Sequence, residues 1–290
     1  MSIYDLTGSP LSDAYNVSGD ALSLAYDKSG DIIYTAGDRL KVMTYNVGGW
    51  YIGSGRNVPA AEKDAYYALQ TGMIEAAAPD ILFINEYLEE FSDDGTSALT
   101  MLQSLFPYVE RVTNGTYFGR AICSTYPISN YSSHTFSVGS PYYYDSAEVV
   151  IDGTPVTLVV IHLIVNPETT RYTQAQELLA YLQTLDTFIC AGDYNTGIST
   201  STANPSSSEY EKFVKIFLDA GFHTANFGAS GFMVTCNDGV NGTGTDWYID
   251  NIITSADINV ISAYVDTTKL TDGISGKIDH MPLIANLEVN

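Results

Sequence analysis

The chain has 290 residues, of which 45% are hydrophobic and 16% are charged, and this composition excludes an intrinsically disordered protein. Twelve Lys and Arg residues stand against 34 Asp and Glu residues, and the formal net charge of −22 excludes a broad basic surface for nucleic acid. A bound divalent cation dominates its local field, so an anionic substrate at a metal site remains compatible with this charge.

The first 38 residues differ from the rest of the chain, because they repeat with a period of eleven. The units begin at Tyr4, Tyr15 and Tyr26, and each carries Gly at its fifth place and ends in Ala. Repetition at a fixed period is typical of a linear or stacked array. We therefore predict a separate segment over residues 1–38 and a catalytic domain over residues 39–290. An adaptor that attaches to an unknown partner and a flexible linker both fit the repeat.

The remainder of the chain mixes predicted strands and helices without strict alternation. Apolar and β-rich runs predict strands at 40–47, 80–86, 117–125, 131–138, 147–152, 156–163, 186–195, 247–255, 257–265 and 281–289. Helix-forming composition and capping signals predict helices at 59–78, 94–106, 168–185 and 206–222. The Gly-, Asn- and Thr-rich stretch 224–246 is predicted to be a long loop. This mixture predicts an α/β (α+β) sandwich, in which helices flank two packed mixed β-sheets.

Targeting and cysteine signals are sparse. No apolar stretch is long enough to cross a bilayer, and the N-terminus lacks the basic and apolar regions of a signal peptide. We therefore expect a cytoplasmic or particle-associated protein. Cys123, Cys190 and Cys236 lack the spacing of a zinc site or a disulfide framework. Cys123 and Cys190 lie in apolar runs and are predicted to be buried.

Polar side chains end several of the predicted strands, where ligands of α/β sheets bind. Six such places carry the residues Asn46, Glu86, His162, Asp193 with Asn195, Asp250, and Asp279 with His280. Carboxylate and amide oxygens suit Mg²⁺, Mn²⁺ or Ca²⁺ better than zinc. Two histidines beside them can provide a base and a group that stabilises phosphate charge.

The order of these motifs resembles a known family. The series YN, NE, HL, GDYN, IDNI and DHMP is similar to the endonuclease/exonuclease/phosphatase superfamily, which has the deoxyribonuclease I-like fold. The resemblance covers residues from about 39 to 290. The strand and turn GRAICSTYPI and the helix that carries Arg171 and Gln174 also fall where the family has them. It implies a four-layer sandwich and a Mg²⁺- or Mn²⁺-dependent phosphodiesterase.

The resemblance also implies a metal site. Glu86 matches the family's metal-binding glutamate, and Asn46 matches the neighbouring asparagine that helps to hold metal or phosphate. Asp279 matches the aspartate that joins the metal site.

Five further residues receive catalytic roles from the resemblance. Asp193 matches the aspartate that positions or deprotonates the attacking water, and Asn195 the amide that stabilises the pentacovalent phosphate. His280 matches a general base or phosphate ligand, and Asp250 the carboxylate that orients it. His162 matches a histidine that donates to a phosphate oxygen.

Other polar and aromatic residues lack a position in this series. Tyr117 and Arg120 flank the GRAICS strand and are interpreted as substrate contacts, with an ordinary surface arginine as the alternative for Arg120. The tyrosines 142–144 either line a substrate groove or cover a sheet edge. His134 and His223 are predicted to face solvent.

The leading interpretation is a metal-dependent nuclease that hydrolyses DNA. A phosphatase or a phospholipase-C-like enzyme, acting on inositol phosphates or sphingomyelin, is the alternative within the enzymes. An attachment or structural protein that keeps the fold without catalysis is the alternative of another class. The intact set of site residues argues against that last class, and the absence of an extended apolar hairpin argues against membrane docking.

Overall fold

The computed structural model describes residues 24–26, 32–35, 39–51, 60–89, 97–113, 119–140, 142–196, 213–226, 232–237, 246–270 and 278–290. The chain divides into two units, Met1–Arg39 and Leu40–Asn290. In the first unit, strand β1 (Leu24–Tyr26) pairs antiparallel with strand β2 (Ile32–Thr35). The rest of the predicted eleven-residue repeat lies outside the described residues.

Strands and helices of the second unit follow the predicted order. The strands are β3 (Leu40–Asn46), β4 (Ile81–Tyr87), β5 (Tyr108–Val112), β6 (Gly119–Ser124), β7 (Ser129–Thr135), β8 (Tyr143–Ile151), β9 (Thr154–His162), β10 (Phe188–Asp193), β11 (His223–Thr224), β12 (Cys236–Asn237), β13 (Asp246–Trp247), β14 (Asp250–Thr254), β15 (Ile258–Val265) and β16 (Leu283–Val289). The helices are α1 (Ala60–Ala77), α2 (Ala98–Leu105), α3 (Glu168–Leu182) and α4 (Lys215–Asp219). Short 3₁₀ turns lie at Gly48–Tyr51 and Thr268–Leu270.

Two mixed sheets of six strands form within the described residues. The first has the order β15-β16-β3-β4-β6-β5, and the second has the order β11-β14-β10-β9-β8-β7. In the first sheet β3 and β4 are parallel, and in the second β9 and β10 are parallel, whereas the other pairs are antiparallel. Each parallel pair therefore brings two strand ends to the same edge of its sheet.

The main core lies between the two sheets. Val42, Phe83 and Ile122 of the first sheet share one buried apolar cluster with Leu158 and Ile189 of the second. Side chains alternate along a strand, so the neighbouring positions face outward.

Helices cover the outer face of each sheet. Ile74 of α1 and Leu102 of α2 pack with Met43 on the first sheet, and Leu178 of α3 and Phe217 of α4 pack on the second sheet. The resulting order is helix, sheet, sheet, helix. This confirms the predicted four-layer α/β sandwich.

Several local predictions need correction. The predicted loop 224–246 contains a two-stranded ribbon, in which β12 pairs with β13. The predicted solvent-facing histidines are half-buried and hydrogen-bonded. The His134 ring stacks on Tyr144 and its Nε2 contacts Ser146 Oγ at 2.9 Å, while Nδ1 of His223 lies 2.8 Å from the carbonyl oxygen of Ile258.

Other features follow the sequence closely. Cys123 and Cys190 are buried, as predicted. The helix predicted at 94–106 begins after Ser97, whose hydroxyl accepts a hydrogen bond from the Thr100 backbone N–H. Of the helix predicted at 206–222, residues 206–212 lie outside the described residues. In the described part of the chain, no helix has both the length and the apolar character needed to cross a membrane.

Candidate active site

The predicted site residues meet where the central strands of both sheets end. In the second sheet, Asp193 of β10 lies directly opposite His162 of β9 on one side and Asp250 of β14 on the other. In the first sheet, Asn46 at the end of β3 lies opposite Asn85 of β4. Apolar strands thus carry the polar groups to a single rim of the sandwich.

Asn85 joins the two sheets beneath this rim. Its Nδ2 donates to the carbonyl oxygen of Ile161 on β9 at 2.6 Å, and its Oδ1 accepts the backbone N–H of Asp193 at 3.0 Å. The side chain is completely buried, so both hydrogen bonds are shielded from water. Asn85 therefore positions Asp193. Sequence analysis missed this role, because it assigned the polar end of β4 to the neighbouring Glu86 alone.

Asn46 adds a second connection between the sheets. Its Nδ2 donates to Glu86 Oε1 at 3.0 Å and to Asp193 Oδ2 at 3.1 Å, and its Oδ1 accepts the Gly48 N–H at 3.0 Å. The predicted metal ligand Asn46 thus holds two carboxylates in place and is itself buried.

Glu86 reaches the rim because β4 is irregular at this position. The pairing of β4 with β6 shifts between Asn85 and Tyr87, and Glu86 has a positive φ of 54°. Bulges of this kind redirect a side chain and are common beside active sites. The Glu86 carboxylate is half-buried and lines the cleft.

His280 and Asp250 form a buried pair. Nδ1 of His280 lies 2.8 Å from Asp250 Oδ2, and the two residues are 6% and 1% exposed. Burial alone would lower the pKa of His280, but the Asp250 carboxylate and its other neighbours raise that pKa well above the ordinary value. Because Nδ1 faces Asp250, Nε2 is the nitrogen that remains for chemistry in the cleft.

Asp193 lies between two imidazoles. Its Oδ2 is 3.6 Å from His162 Nε2 and 3.7 Å from His280 Nε2, and its Oδ1 accepts the Asn195 N–H at 2.8 Å. Burial and the charge of Asp250 raise the pKa of Asp193 to about 8. Both imidazole distances exceed those of direct hydrogen bonds, so Asp193 Oδ2 contacts the two rings without a direct hydrogen bond to either.

His162 has the opposite electrostatic character. Burial, followed by the charges of His280 and Arg120, lowers the pKa of His162 to about 3. The ring is therefore neutral at pH 7. Tyr142 packs edge-on against it at 6.1 Å between ring centroids, so one member of the tyrosine run lies beside the site.

The cleft itself is a cavity of about 370 Å³. Its walls include Glu86, His162, Asp193, Asn195, Asp279 and His280 among the predicted residues, together with Val165, Asn166, Arg171, Cys236, Trp247 and Ile249. Asn46 and Asp250 are almost completely buried and position the residues of the wall. Cys236 and Trp247 were not predicted as site residues, because Cys236 falls in the predicted loop 224–246 and Trp247 begins a predicted strand instead of ending one.

Asn195 and the loop after β9 complete one wall. Asn195 has a positive φ of 48°, and its Nδ2 donates to the carbonyl oxygen of Leu163 at 2.9 Å. Arg171 donates to the carbonyl oxygen of Val165, and Gln174 accepts the Ile164 N–H at 2.8 Å. Helix α3 therefore fixes the loop that borders the cleft.

The two predicted substrate contacts have different outcomes. Arg120 is 2% exposed, so the surface-arginine alternative is wrong. Its Nε and Nη2 donate to the Asp145 carboxylate at 2.5 and 3.1 Å, and its guanidinium lies over the Tyr143 ring. The guanidinium is thus engaged below the cleft, and a substrate contact by Arg120 stays a prediction. Tyr117 lies outside the described residues.

The donor set fits a hard divalent cation. Glu86 and Asp279 both present carboxylates to the cleft, and Asp193, Asp250 and His280 form a further group whose ligand atoms lie within 4.8 Å of one another. Oxygen ligands of this kind are those that Mg²⁺ and Mn²⁺ prefer. The residues present therefore suit such an ion.

Comparisons with known proteins agree with this geometry. The sequence profile described as "Endonuclease/Exonuclease/phosphatase family" matches residues 43–272. No curated protein sequence matches the chain.

Three solved structures illustrate the shared fold. TDP2 from C. elegans has a TM-score of 0.66 and 17% identity, over 87% of this chain and 76% of that chain. The human nocturnin catalytic domain with bound sulfate has a TM-score of 0.62 and 18% identity, over 87% and 95%. D. rerio TDP2 complexed with single-strand DNA product has a TM-score of 0.63 and 15% identity, over 87% and 99%.

Proposed function

This chain belongs to the endonuclease/exonuclease/phosphatase family of phosphoester hydrolases, and we propose that it is a divalent-metal-dependent phosphodiesterase that cleaves nucleic acid, with DNA as the leading substrate. One observation carries the proposal. Asp193 lies between His162 and His280 in a single cleft, and His280 is held by Asp250. An anionic phosphodiester repels hydroxide, and this arrangement supplies a base and neutral donors at one point.

Glu86 and Asp279 hold the divalent cation in this proposal, and Asn46 fixes Glu86 by its hydrogen bond of 3.0 Å. A cation held there neutralises phosphate charge and polarises the P–O bond. The side chains on this side of the cleft offer mainly oxygen donors, which favours Mg²⁺ or Mn²⁺.

Asp193 positions the attacking water and accepts its proton. Its carboxylate is oriented by the Asn195 N–H and by Asn46 Nδ2, so that one face remains toward the cleft. The pKa of Asp193 would be lower, and its charged, basic form favoured, with a cation held by Glu86 and Asp279.

The two histidines have separate roles. His280, oriented through Nδ1 by Asp250, presents Nε2 to the reacting phosphate and holds a proton there. His162 is neutral, so it donates a hydrogen bond to a phosphate oxygen without altering the charge of the site. Asn195 uses one N–H for Leu163 and has a second for the developing charge.

The charge and the aromatic content of the cleft support nucleic acid as the proposed substrate class. Arg171 is the one Lys or Arg in the described wall of the cleft, so a highly phosphorylated inositol finds few cations there. Trp247 is half-buried in the wall, and an indole ring at a cleft suits stacking with a nucleobase. The likeness to D. rerio TDP2 with its single-strand DNA product supports nucleic acid as well.

One assay panel tests the proposal. Plasmid DNA, single-stranded DNA, RNA, an inositol phosphate and sphingomyelin are each incubated with the protein and Mg²⁺. We expect cleavage of DNA that stops in EDTA and returns with Mg²⁺ or Mn²⁺. Asp193→Asn should abolish it, whereas the same change at the exposed Asp152 should not. Full activity in excess chelator, or hydrolysis of the lipid or inositol phosphate alone, contradicts the proposal.

A further inference from the structure

We propose that Cys236, Asp279 and His280 form a second cation site in the cleft wall, selective for a thiophilic divalent ion such as Zn²⁺. One ligand atom from each residue, a sulfur, a carboxylate oxygen and an imidazole nitrogen, lies within 4.8 Å of the other two. All three residues line the same cavity and are 7%, 9% and 6% exposed. Small side-chain movements bring these atoms around one ion.

The two backbone segments that supply the ligands are bonded to each other. Cys236 and His280 form an antiparallel β-bridge. The Asn237 N–H donates to the carbonyl oxygen of Asp279 at 2.7 Å, and the Met281 N–H donates to that of Thr235 at 2.7 Å. Backbone hydrogen bonds therefore hold the thiol beside the Asp279–His280 pair, which reduces the cost of organising the site.

Lys269 fixes the same two segments from behind. It is completely buried, and its Nζ donates to the carbonyl oxygens of Asn237, Ile278 and Asp279 at 2.6, 2.5 and 2.9 Å. These hydrogen bonds join Asn237, the residue after Cys236 in β12, to Ile278 and Asp279, the two residues before His280. The backbone that carries the three metal-binding side chains is therefore held in place by hydrogen bonds, and the site is preorganised.

The chemistry of the donors decides which ion binds. Mg²⁺ takes oxygen ligands almost exclusively, whereas Zn²⁺ accepts thiolate, imidazole and carboxylate in a tetrahedral arrangement. Three protein ligands leave a fourth position for water. Zinc must displace the thiol proton, because the ligand is the thiolate.

Zinc in this position competes with catalysis. Nδ1 of His280 is bonded to Asp250, so Nε2 is the nitrogen that an ion takes. Asp279 is also a ligand of the proposed catalytic cation. Zinc therefore removes one catalytic side chain and one metal ligand together. This consequence rests on the proposed function, whereas zinc binding itself does not.

Spectroscopy of the full-length protein tests the binding site directly. Co²⁺ replaces Zn²⁺ in such sites, and a sulfur ligand gives an ultraviolet charge-transfer band. We expect the band in wild type and in Cys123→Ala, which removes a buried thiol of the apolar cluster on the first sheet, and its loss in Cys236→Ser. Zinc X-ray absorption of the wild-type protein should show one sulfur at about 2.3 Å, which needs no variant. Absence of sulfur from the wild-type spectra overturns the site.

An activity measurement tests the competition. At fixed Mg²⁺, DNA cleavage by each protein is expressed as a fraction of that protein's own zinc-free rate. The zinc concentration that halves this rate should be at least tenfold higher in Cys236→Ser than in wild type. In Cys123→Ala it should equal the wild-type value. Equal zinc sensitivity in all three proteins overturns the competition. A protein that binds zinc through sulfur but cleaves no substrate in Mg²⁺ refutes the proposed function and leaves the metal site established.

Discussion

Asp250 is expected to set both the basicity and the orientation of His280, and Asp250→Asn tests this. The Asp250 backbone is held independently of its carboxylate, because its N–H donates to Thr235 Oγ1 at 3.0 Å and its carbonyl oxygen accepts Asn226 Nδ2 at 2.8 Å. The substitution thus removes a charge 2.8 Å from His280 Nδ1 while leaving the strand in place. The change isolates the electrostatic role of the carboxylate.

The direction in which the pKa of His280 changes follows from two opposing influences, burial and the Asp250 carboxylate. Burial lowers the pKa of His280 and the Asp250 carboxylate raises it, so the variant retains only the lowering influence of the two. The pKa of His280 should fall. In wild type the raised pKa stabilises the folded protein below the unfolded pKa of about 6.5, and that contribution is lost as pH rises through the folded pKa. The variant should lack this pH-dependent contribution.

The fall in kcat expected for Asp250→Asn is that of an enzyme that loses a partner in acid–base catalysis. Such losses are about 10²-fold or more in kcat, which corresponds to about 2.7 kcal/mol of transition-state stabilisation. His280→Ala should have an effect of similar size, and the double variant should be little worse than either single variant, since groups that act as a unit are not additive.

Two measurements decide the matter. An NMR titration of the metal-free protein follows the His280 ring, and steady-state kinetics with Mg²⁺ gives kcat for the single and double variants. Asp152→Asn, the same chemical change at an exposed turn residue, is the control. An unchanged pKa of His280, or effects of Asp250→Asn and His280→Ala that simply add, would refute the proposed pair.

Three further predictions concern charge and domain structure. The logarithm of kcat/KM on DNA should fall with the logarithm of salt concentration at a slope no steeper than about −1, because each neutralised phosphate contributes about −0.9 and Arg171 is the one basic residue in the described cleft wall; a slope several times steeper would show a large basic footprint. Arg120→Met should lower the free energy of unfolding by about 3–5 kcal/mol, since it leaves the Asp145 carboxylate buried without its ion-pair partner. Arg111→Met, which breaks the part-exposed pair with Glu89, should lower it by under about 1 kcal/mol. Equal losses for the two variants in urea unfolding would contradict this. A protein that starts at Asp38 should keep its melting temperature, and its kcat/KM should stay within about threefold, a change under 1 kcal/mol; a hundredfold loss would show that the repeat segment belongs to the catalytic unit.

The central strands β3, β4, β9 and β10 were predictable because each combines an apolar run with a polar end. The run DILFINE became β4 at Ile81–Tyr87, and Glu86 lies at the rim of the sandwich as its position predicted. Local pattern fixes burial along a strand, since side chains alternate and parallel neighbours end together. For this reason the layers of the fold could be predicted.

Contacts between distant segments could not be predicted in the same way. The partner of Arg120 is Asp145 on β8, and no local pattern links a buried arginine to a carboxylate on another sheet. Cys236 of β12 lies beside His280 through an antiparallel β-bridge between two segments that are far apart in the chain. Such pairings depend on how the sheets face each other, which residue spacing alone does not encode.

Gly192 shows how closely the two central strands of the second sheet meet at the site. It has a φ of +150°, and a Cβ there would lie 1.9 Å from the carbonyl oxygen of Ile161 and 3.0 Å from Asn85 Oδ1. These are the atoms through which Asn85 links Ile161 to the N–H of Asp193.

Gly192→Ala should therefore push β10 from β9 and displace Asp193, because backbone cannot yield as a flexible side chain does. Overpacking of this kind costs about 1–3 kcal/mol or more, and in a domain of this size each kcal/mol lowers the melting temperature by about 2–4 °C. Gly72→Ala in α1 is the matched control, since a Cβ there meets nothing within 4 Å and should stabilise the helix by about 0.5–1 kcal/mol. The two alanine variants should thus shift the melting temperature in opposite directions, and only Gly192→Ala should lower kcat/KM, by at least about tenfold, as expected for a misplaced catalytic group. A Gly192→Ala protein that melts with the wild type and keeps its kcat/KM would show that Asp193 does not depend on this close contact.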